Sequence, residues 1–229
     1  MKYMGSKNRI AKYILPIILQ NRKPGQYYVE PFVGGANLID KVDNPRIGND
    51  INFYLISLLK ALQKGWIPPQ QISEQEYYHI KNNHQQFPPE LIGYVAFQLS
   101  YGAIYFSSYR KDKEKKRNYS LEAYKNIIKQ MPKLTEIMFF NQNYTDLQIP
   151  PHSLVYCDPP YKDTTNYKIE FDHEKFWNWA RSIRNKGHQV FISEYNAPPD
   201  FQCVWEKPIK TTICKIDGKY KTNVEKLYI

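Results

Sequence analysis

The sequence predicts an α/β fold, a doubly wound sheet interrupted by a mostly helical, basic lobe. Three observations predict it. A short apolar strand, Tyr27-Tyr28-Val29, runs directly into the glycine-containing turn Glu30-Pro31-Phe32-Val33-Gly34-Gly35. A second short strand, Arg46-Ile47-Gly48-Asn49, ends at Asp50. After a stretch of different character, apolar strands return at 137–140, 153–157 and 189–193. Strand, glycine turn, helix, strand and acid, in that order, make the first unit of a doubly wound sheet.

Each element has a local reason. Residues 6–20 place Ile10, Tyr13, Ile14, Ile17 and Ile18 on one helical face, with Ser6 able to cap the start. Pro16 falls in the second half, where proline kinks a helix. Asn21-Arg22-Lys23-Pro24-Gly25 reads as a turn. A helix is expected after the glycine turn, through Asn37, Leu38, Ile39 and Val42. Another is expected over 53–63, closed by Gly65. Helices are expected at 76–83 and 91–105, punctuated by Pro68-Pro69 and Pro88-Pro89, and again at 173–186, stopped by Gly187. The last 30 or so residues alternate in a β manner. The predicted division is a catalytic domain at 1–64 and 137–229, with an inserted lobe at 65–136.

Composition narrows the function. The chain has 229 residues, 32 Lys and Arg against 22 Asp and Glu, and a net charge of +10. Hydrophobic residues make up 42%, enough for a packed core and too many for wholesale disorder. No apolar run approaches the ~20 residues that span a bilayer, and the first residues lack a signal-peptide core. The expectation is a soluble, cytoplasmic protein with no membrane partner. Three cysteines, Cys157, Cys203 and Cys214, are odd in number and widely spaced, which fits neither a disulfide framework nor a four-cysteine zinc site. The five histidines show no metal-ligand spacing, so no metal is expected. Twenty Tyr and eleven Phe in a basic chain point towards nucleic acid, because rings stack on bases while cations hold phosphates.

Two motifs carry chemistry. Gly34 and Gly35 allow the backbone to approach a ligand closely at the carboxyl end of a strand, where open sheets bind cofactors. The acid at Asp50 is placed to accept from ribose hydroxyls. The second motif, Asp158-Pro159-Pro160-Tyr161, ends an apolar strand. Consecutive prolines have no N–H, so they end sheet pairing and leave outward carbonyls. An acid, outward carbonyls and a ring suit a planar ligand with an exocyclic amine. Between the two motifs lies a basic run, Arg110, Lys111, Lys113, Lys115, Lys116 and Arg117, a candidate set of phosphate contacts.

Together, Tyr3-Met4-Gly5-Ser6-Lys7, Glu30-Pro31-Phe32-Val33-Gly34-Gly35, Asn49-Asp50-Ile51-Asn52 and Asp158-Pro159-Pro160-Tyr161 resemble the Dam-like, alpha-group DNA adenine-N6 methyltransferases. The order of the motifs matches over nearly the whole chain. The resemblance implies a Rossmann-like S-adenosylmethionine-dependent methyltransferase sheet with an inserted target-recognition lobe. It implies a cofactor site formed by Tyr3, Lys7, Glu30, Phe32, Gly34, Asp50 and Asp158, and a catalytic set of Asp158, Pro159, Pro160 and Tyr161. It implies double-stranded DNA as partner, a monomer, and a bacterial or phage setting, either alone or beside a restriction endonuclease without a stable complex. Relatives often carry an acid near the cofactor adenine before the second motif. Here the segment reads Asn141-Gln142-Asn143-Tyr144, which leaves Asn143 for that contact.

The chemistry agrees. The exocyclic amine of adenine is conjugated with its ring and is a poor nucleophile. Accepting its two N–H groups at Asp158 and the Pro159 carbonyl localises the lone pair and stabilises developing positive charge. The target atom is inaccessible in a duplex, so the base must leave the stack, and Tyr161 can cover it. Cytosine-N4 methylation is the near alternative, and an inactive DNA-binding relative is the alternative of another class. Cys157 adjoins Asp158, yet an exocyclic nitrogen needs no covalent activation, and strand alternation turns the cysteine to the other face.

Overall fold

The computed structural model describes the backbone of residues 1–112, 114, 116–161, 171–216 and 219–229, with side chains over the same residues except 209–222. Among these, one sheet contains β1 (Tyr28–Glu30), β2 (Arg46–Asn49), β3 (Ile137–Phe140), β4 (Leu154–Cys157), β5 (Gln189–Glu194), β6 (Cys203–Ile216) and β7 (Lys219–Tyr228). Its order is β3-β2-β1-β4-β5-β7-β6. The first five strands pair in parallel, and β7 runs antiparallel to both β5 and β6. This is a Rossmann-like sheet with one reversed strand near its far edge.

Both faces are covered, so the central strands are buried throughout. Alternation sorts their side chains. Tyr28, Leu154 and Tyr156 face one core, shared with α1 (Ala11–Leu19) and α2 (Phe53–Gln63). Val29, Val155 and Cys157 face the other, shared with Phe176, Trp177, Ala180 and Ile183 of α6 (His173–Asn185). Ser6 caps the turn that leads into α1, accepting from the Asn8 N–H. Pro16 lies inside α1 on its exposed side. Asn52 caps α2 by accepting from the Leu55 N–H, 3.0 Å away.

The stretch after α2 is helical. It holds α3 (Glu74–Asn82), α4 (Pro89–Gly93) and α5 (Tyr119–Gln130). A capping box joins Ser73 and Glu76 at the start of α3. Ile72, Tyr77, Ile80, Ile92, Tyr94 and Ile127 pack into the same core as α1 and α2. The lobe is therefore built onto one face of the sheet and has no separate apolar centre.

Two expected helices differ. After the glycine turn, only a 3-10 turn forms, at Ile39–Lys41. Gly34 and Ala36 both have positive φ, 48° and 54°, which breaks a helical run. Asp43-Asn44-Pro45 follows too soon for a helix to gain cooperative length. The helix expected over 91–105 is shorter. α4 passes into a π turn at Tyr94–Gln98. The buried Gln98 amide accepts from the Lys2 N–H and donates to the Lys2 carbonyl, each at 2.9 Å. Gly102, with φ 68°, then reverses the chain, and Ser100 bridges to Tyr109. The helix α5 lies outside the predicted elements, although Asn118 caps it through the Leu121 N–H and Ala123 and Ile127 repeat at helical spacing.

At Gly93, α4 packs directly against the backbone of α2. A Cβ there would collide with the backbone carbonyl oxygen of Tyr54 in α2. Gly93→Ala gains helix propensity yet forces the two helices apart, a cost of about 1–3 kcal/mol. The melting temperature followed by circular dichroism should fall by several degrees; an unchanged value would mean that α2 and α4 separate freely.

Candidate active site

The strand order reverses between β1 and β4. β1 leads off towards β2, and β4 towards β5. In open sheets this switch point opens a crevice at the carboxyl ends of the strands. β1 ends at Glu30 and β4 at Cys157. The two sequence motifs therefore begin at the same crevice, from neighbouring strands.

On the β1 side, the glycine turn is held by Asp50, which follows β2. Asp50 Oδ2 accepts from the Gly34 N–H at 3.1 Å, and Oδ1 from the Asn52 N–H at 2.9 Å. Burial pushes the Asp50 carboxyl up to about 6, against these two backbone donors. Tyr3 lies across the turn. A Cβ at Gly34 would fall 2.8 Å from the Tyr3 ring, and one at Gly35 would fall 2.8 Å from Tyr3 Cβ. The glycines are thus required by the close approach of Tyr3. Phe32 packs in an aromatic group with Tyr144, Phe171 and Phe176, its ring centroid 5.1 to 5.9 Å from theirs. Asn143 Oδ1 accepts from the Thr145 N–H and hydroxyl at 3.1 and 3.0 Å. Its oxygen is thus spent on its own turn, and its NH₂ is the group left to meet a ligand. Glu30 is 3% exposed and accepts from the Tyr28 hydroxyl at 2.9 Å. Burial raises its carboxyl well above the usual range, opposed by the Tyr28 hydroxyl.

On the β4 side, charge is concentrated. Lys7 is 6% exposed. Its Nζ lies 2.9 Å from Asp158 Oδ1 and 3.6 Å from Glu225 Oε2, and donates to the Gly5 carbonyl at 3.0 Å. Burial alone would lower the Lys7 ammonium, but Asp158 and Glu225 outweigh it and hold it above the usual range. Burial raises the Asp158 carboxyl to about 6, opposed by Lys7 and helped by Glu225. Tyr161 donates its hydroxyl to Glu225 Oε2 at 2.9 Å. Lys7 Nζ sits 4.5 Å from the Tyr161 ring centroid, and the edge of Tyr195 meets the same ring at 4.7 Å and 82°. Asn223 donates to the Tyr195 hydroxyl at 2.7 Å.

Glu225 and Tyr195 lie outside the site residues that the sequence predicts. Glu225 sits in an alternating tail with nothing local to mark it. Only the register of β7, which pairs Glu194 with Lys226, brings it to the carboxyl edge of the sheet.

The basic run is distant from this cluster in character. Lys111 pairs with Glu74, Lys116 with Glu114 and Arg117 with Glu122, at 2.9, 2.6 and 2.8 Å. Arg110 lies flat on the Tyr119 ring, 3.8 Å from its centroid. Lys113 and Lys115 lie outside the described residues. No helix among the described residues is long and apolar enough to cross a membrane.

Comparison with known proteins decides the family. The sequence model of the D12 class N6 adenine-specific DNA methyltransferases matches residues 3–97 and 95–199. The chain belongs to that family. It is an adenine-specific DNA methyltransferase that uses S-adenosylmethionine. Curated proteins include no relative that matches it. Among solved structures, the methyltransferase is similar to an rRNA methyltransferase from Streptomyces viridochromogenes, at 13% identity and a TM-score of 0.45, covering 98% of this chain and 85% of that one. It is also similar to a tRNA methyltransferase from Aquifex aeolicus, at 9% identity and a TM-score of 0.41, covering 100% of this chain and 72% of that one.

Cys157 is fully buried in the α6-side core, and burial pushes its thiol well above the usual range. It has neither the exposure nor the thiolate character of a nucleophile. Cys157→Ser should therefore methylate DNA at close to the parental rate and lose stability through its buried hydroxyl, by about 1–3 kcal/mol. Loss of methyl transfer in a variant that melts near the parental temperature would refute this.

Proposed function

We propose that this methyltransferase acts on N6 of an adenine turned out of the duplex, with Asp158 and the Pro159 carbonyl accepting its two N–H groups. The observation that carries the reading is the placement of Asp158. It stands at the switch point, at the end of β4, with Lys7 fixing Oδ1 from one side. Pro159 and Pro160 end the pairing of β4 and leave carbonyls without a sheet partner's claim on them. Tyr161, gripped by Glu225 and Tyr195, is held in position to stack on the base.

The cofactor fits the β1 side of the crevice. Asp50, already oriented by two backbone donors, keeps lone pairs for ribose hydroxyls. Gly34 and Tyr3 shape the turn, Phe32 and Lys7 border it, and the buried Glu30 supports it from within the core. S-adenosylmethionine supplies an electrophilic sulfonium methyl, open to direct in-line attack by the amine. Asp158 stabilises the charge that develops on the amine, and holding the reacting atoms together supplies much of the acceleration.

DNA would be held in part by the inserted lobe, residues 65–136. The pairs made by Lys111, Lys116 and Arg117 are exposed, and such pairs are worth about 0–1 kcal/mol. They can be exchanged for phosphates at little cost. We read the enzyme as a cytoplasmic monomer that works on double-stranded DNA, alone or alongside a restriction endonuclease. Incubation with labelled cofactor and plasmid DNA, followed by long-read sequencing of the product, tests base and sequence context together. A product methylated at cytosine would overturn the adenine assignment.

Asp158→Ala should slow single-turnover methyl transfer by about 100-fold or more while still binding cofactor. The parent should also show an acid limb. Asp158 stabilises the developing positive charge only when ionised, so its raised value places that limb near pH 6, with the rate falling about tenfold per unit below it. The limb should be missing from Asp158→Ala; a parental profile flat down to pH 5 would remove Asp158 from this role.

Asp50→Ala should act on cofactor binding first. Loss of a charged hydrogen-bond acceptor corresponds to about 1.5–3 kcal/mol. Calorimetry should show affinity for S-adenosylmethionine weakened by roughly one to two orders of magnitude. Unchanged affinity would refute the ribose contact.

A further inference from the structure

Beyond the basic run, positive charge gathers at a second place. Arg9 and Lys12 stand exposed on the turn before α1 and on α1 itself, and Lys207 stands on β6. Lys207 Nζ lies 3.6 Å from the centroid of the Tyr13 ring, and Lys12 Nζ lies 5.0 Å from the same centroid. Tyr13 in turn stacks on Trp205, 6.3 Å away and 22° from parallel. Among the described residues, no carboxylate forms an ion pair with Arg9, Lys12 or Lys207. This is the reverse of the run at 110–117, where Lys111, Lys116 and Arg117 each have an acid.

Two ammonium groups over one ring lie well within a Debye length of each other and repel. Each exposed cation–π contact offsets only about 0.5–1 kcal/mol of that. An anion placed between them would relieve the repulsion and keep both ring contacts. An aromatic stack rimmed by cations that form no ion pair among the described residues has the composition of a surface that meets a nucleic-acid backbone.

The patch also lies at the right place. Lys207 is the direct partner of Glu225 across the β6–β7 ladder, and directly opposed residues share a face of the sheet. Glu225 is the carboxylate that holds Lys7 and Tyr161. Arg9 and Lys12 follow Lys7 along the same short segment. Two chain paths thus lead from the site at Asp158 directly to the patch.

We propose that Arg9, Lys12 and Lys207, set around the Tyr13–Trp205 stack, form a phosphate-contact surface that carries the DNA backbone beside the target base. The proposal rests on the target base sitting at Asp158. It makes the grip on DNA two-sided, with the recognition lobe on one flank and the α1–β6 patch on the other.

The test uses the full chain and a short, fluorescently labelled DNA duplex of arbitrary sequence, because phosphate contacts are sequence-independent. Dissociation constants are measured over a series of salt concentrations for the parent, for Lys12→Gln with Lys207→Gln, and for Lys12→Arg with Lys207→Arg. The slope of log affinity against log salt should become shallower by about 0.9 for each phosphate that is no longer neutralised, hence by nearly 2 in the Gln pair. Affinity at moderate salt should fall about tenfold or more, and the Arg pair should restore the parental slope. A Gln pair that melts like the parent and keeps its slope would overturn the proposal. So would an Arg pair that fails to restore it. Plasmid methylation by the parent is measured alongside. A parent that binds the duplex but leaves adenine unmethylated defeats the reading of the active site, while the slopes still decide the patch.

Discussion

The structure turns on one buried ammonium. Lys7 brings a positive charge into a crevice where two carboxylates meet, Asp158 from the end of β4 and Glu225 from β7, two strands away. None of the three is stable there alone, because an unpaired buried charge costs several kcal/mol. The arrangement therefore ties the N-terminal segment, the end of β4 and the last strand into one electrostatic unit. The cluster carries two negative charges against one positive. It is thus biased towards any further positive charge that arises next to Asp158.

The same cluster explains the geometry around Tyr161. Its hydroxyl is fixed by Glu225, one face of the ring is covered by Lys7, and an edge of Tyr195 closes on it. A ring held by three independent contacts keeps its plane before any substrate arrives. Such preorganisation lowers the cost of binding a planar base. The second proline of the motif acts in the same direction, since it denies β4 any further pairing that would pull Tyr161 into the sheet.

Much of this can be read from the chain. The strands β1 to β5, the helix α2 and both motifs have local causes: apolar runs, an Asn cap, a glycine turn and a proline pair. Asp50 and Asp158 are legible as crevice residues because each follows a strand end, and strand ends determine where open sheets bind ligands. What cannot be read depends on distant partners. The helix expected over 91–105 gives way to a π turn because Gln98 pairs with Lys2, nearly a hundred residues earlier. Glu225 acquires its place through register alone, and register is invisible until the neighbouring strand is known. The charge of the run at 110–117 reads as free in sequence, yet three of its four described cations, Lys111, Lys116 and Arg117, are paired with acids that lie up to 37 residues away.

Tyr3 carries a consequence of its own. It is pressed against Gly34 and Gly35 on one side, and its ring lies 5.5 Å from Phe97, in the π turn of the lobe, on the other. One side chain thus spans the glycine turn at the switch point and the π turn that follows α4. A ligand that shifts this ring at either end does work on the other. Thermodynamic reciprocity then requires the effect to be mutual: whatever cofactor loading does to the enzyme's affinity for DNA, DNA must do in equal measure to the affinity for the cofactor. The strength of that coupling is a property of how tightly one aromatic ring is wedged between a glycine backbone and a neighbouring ring.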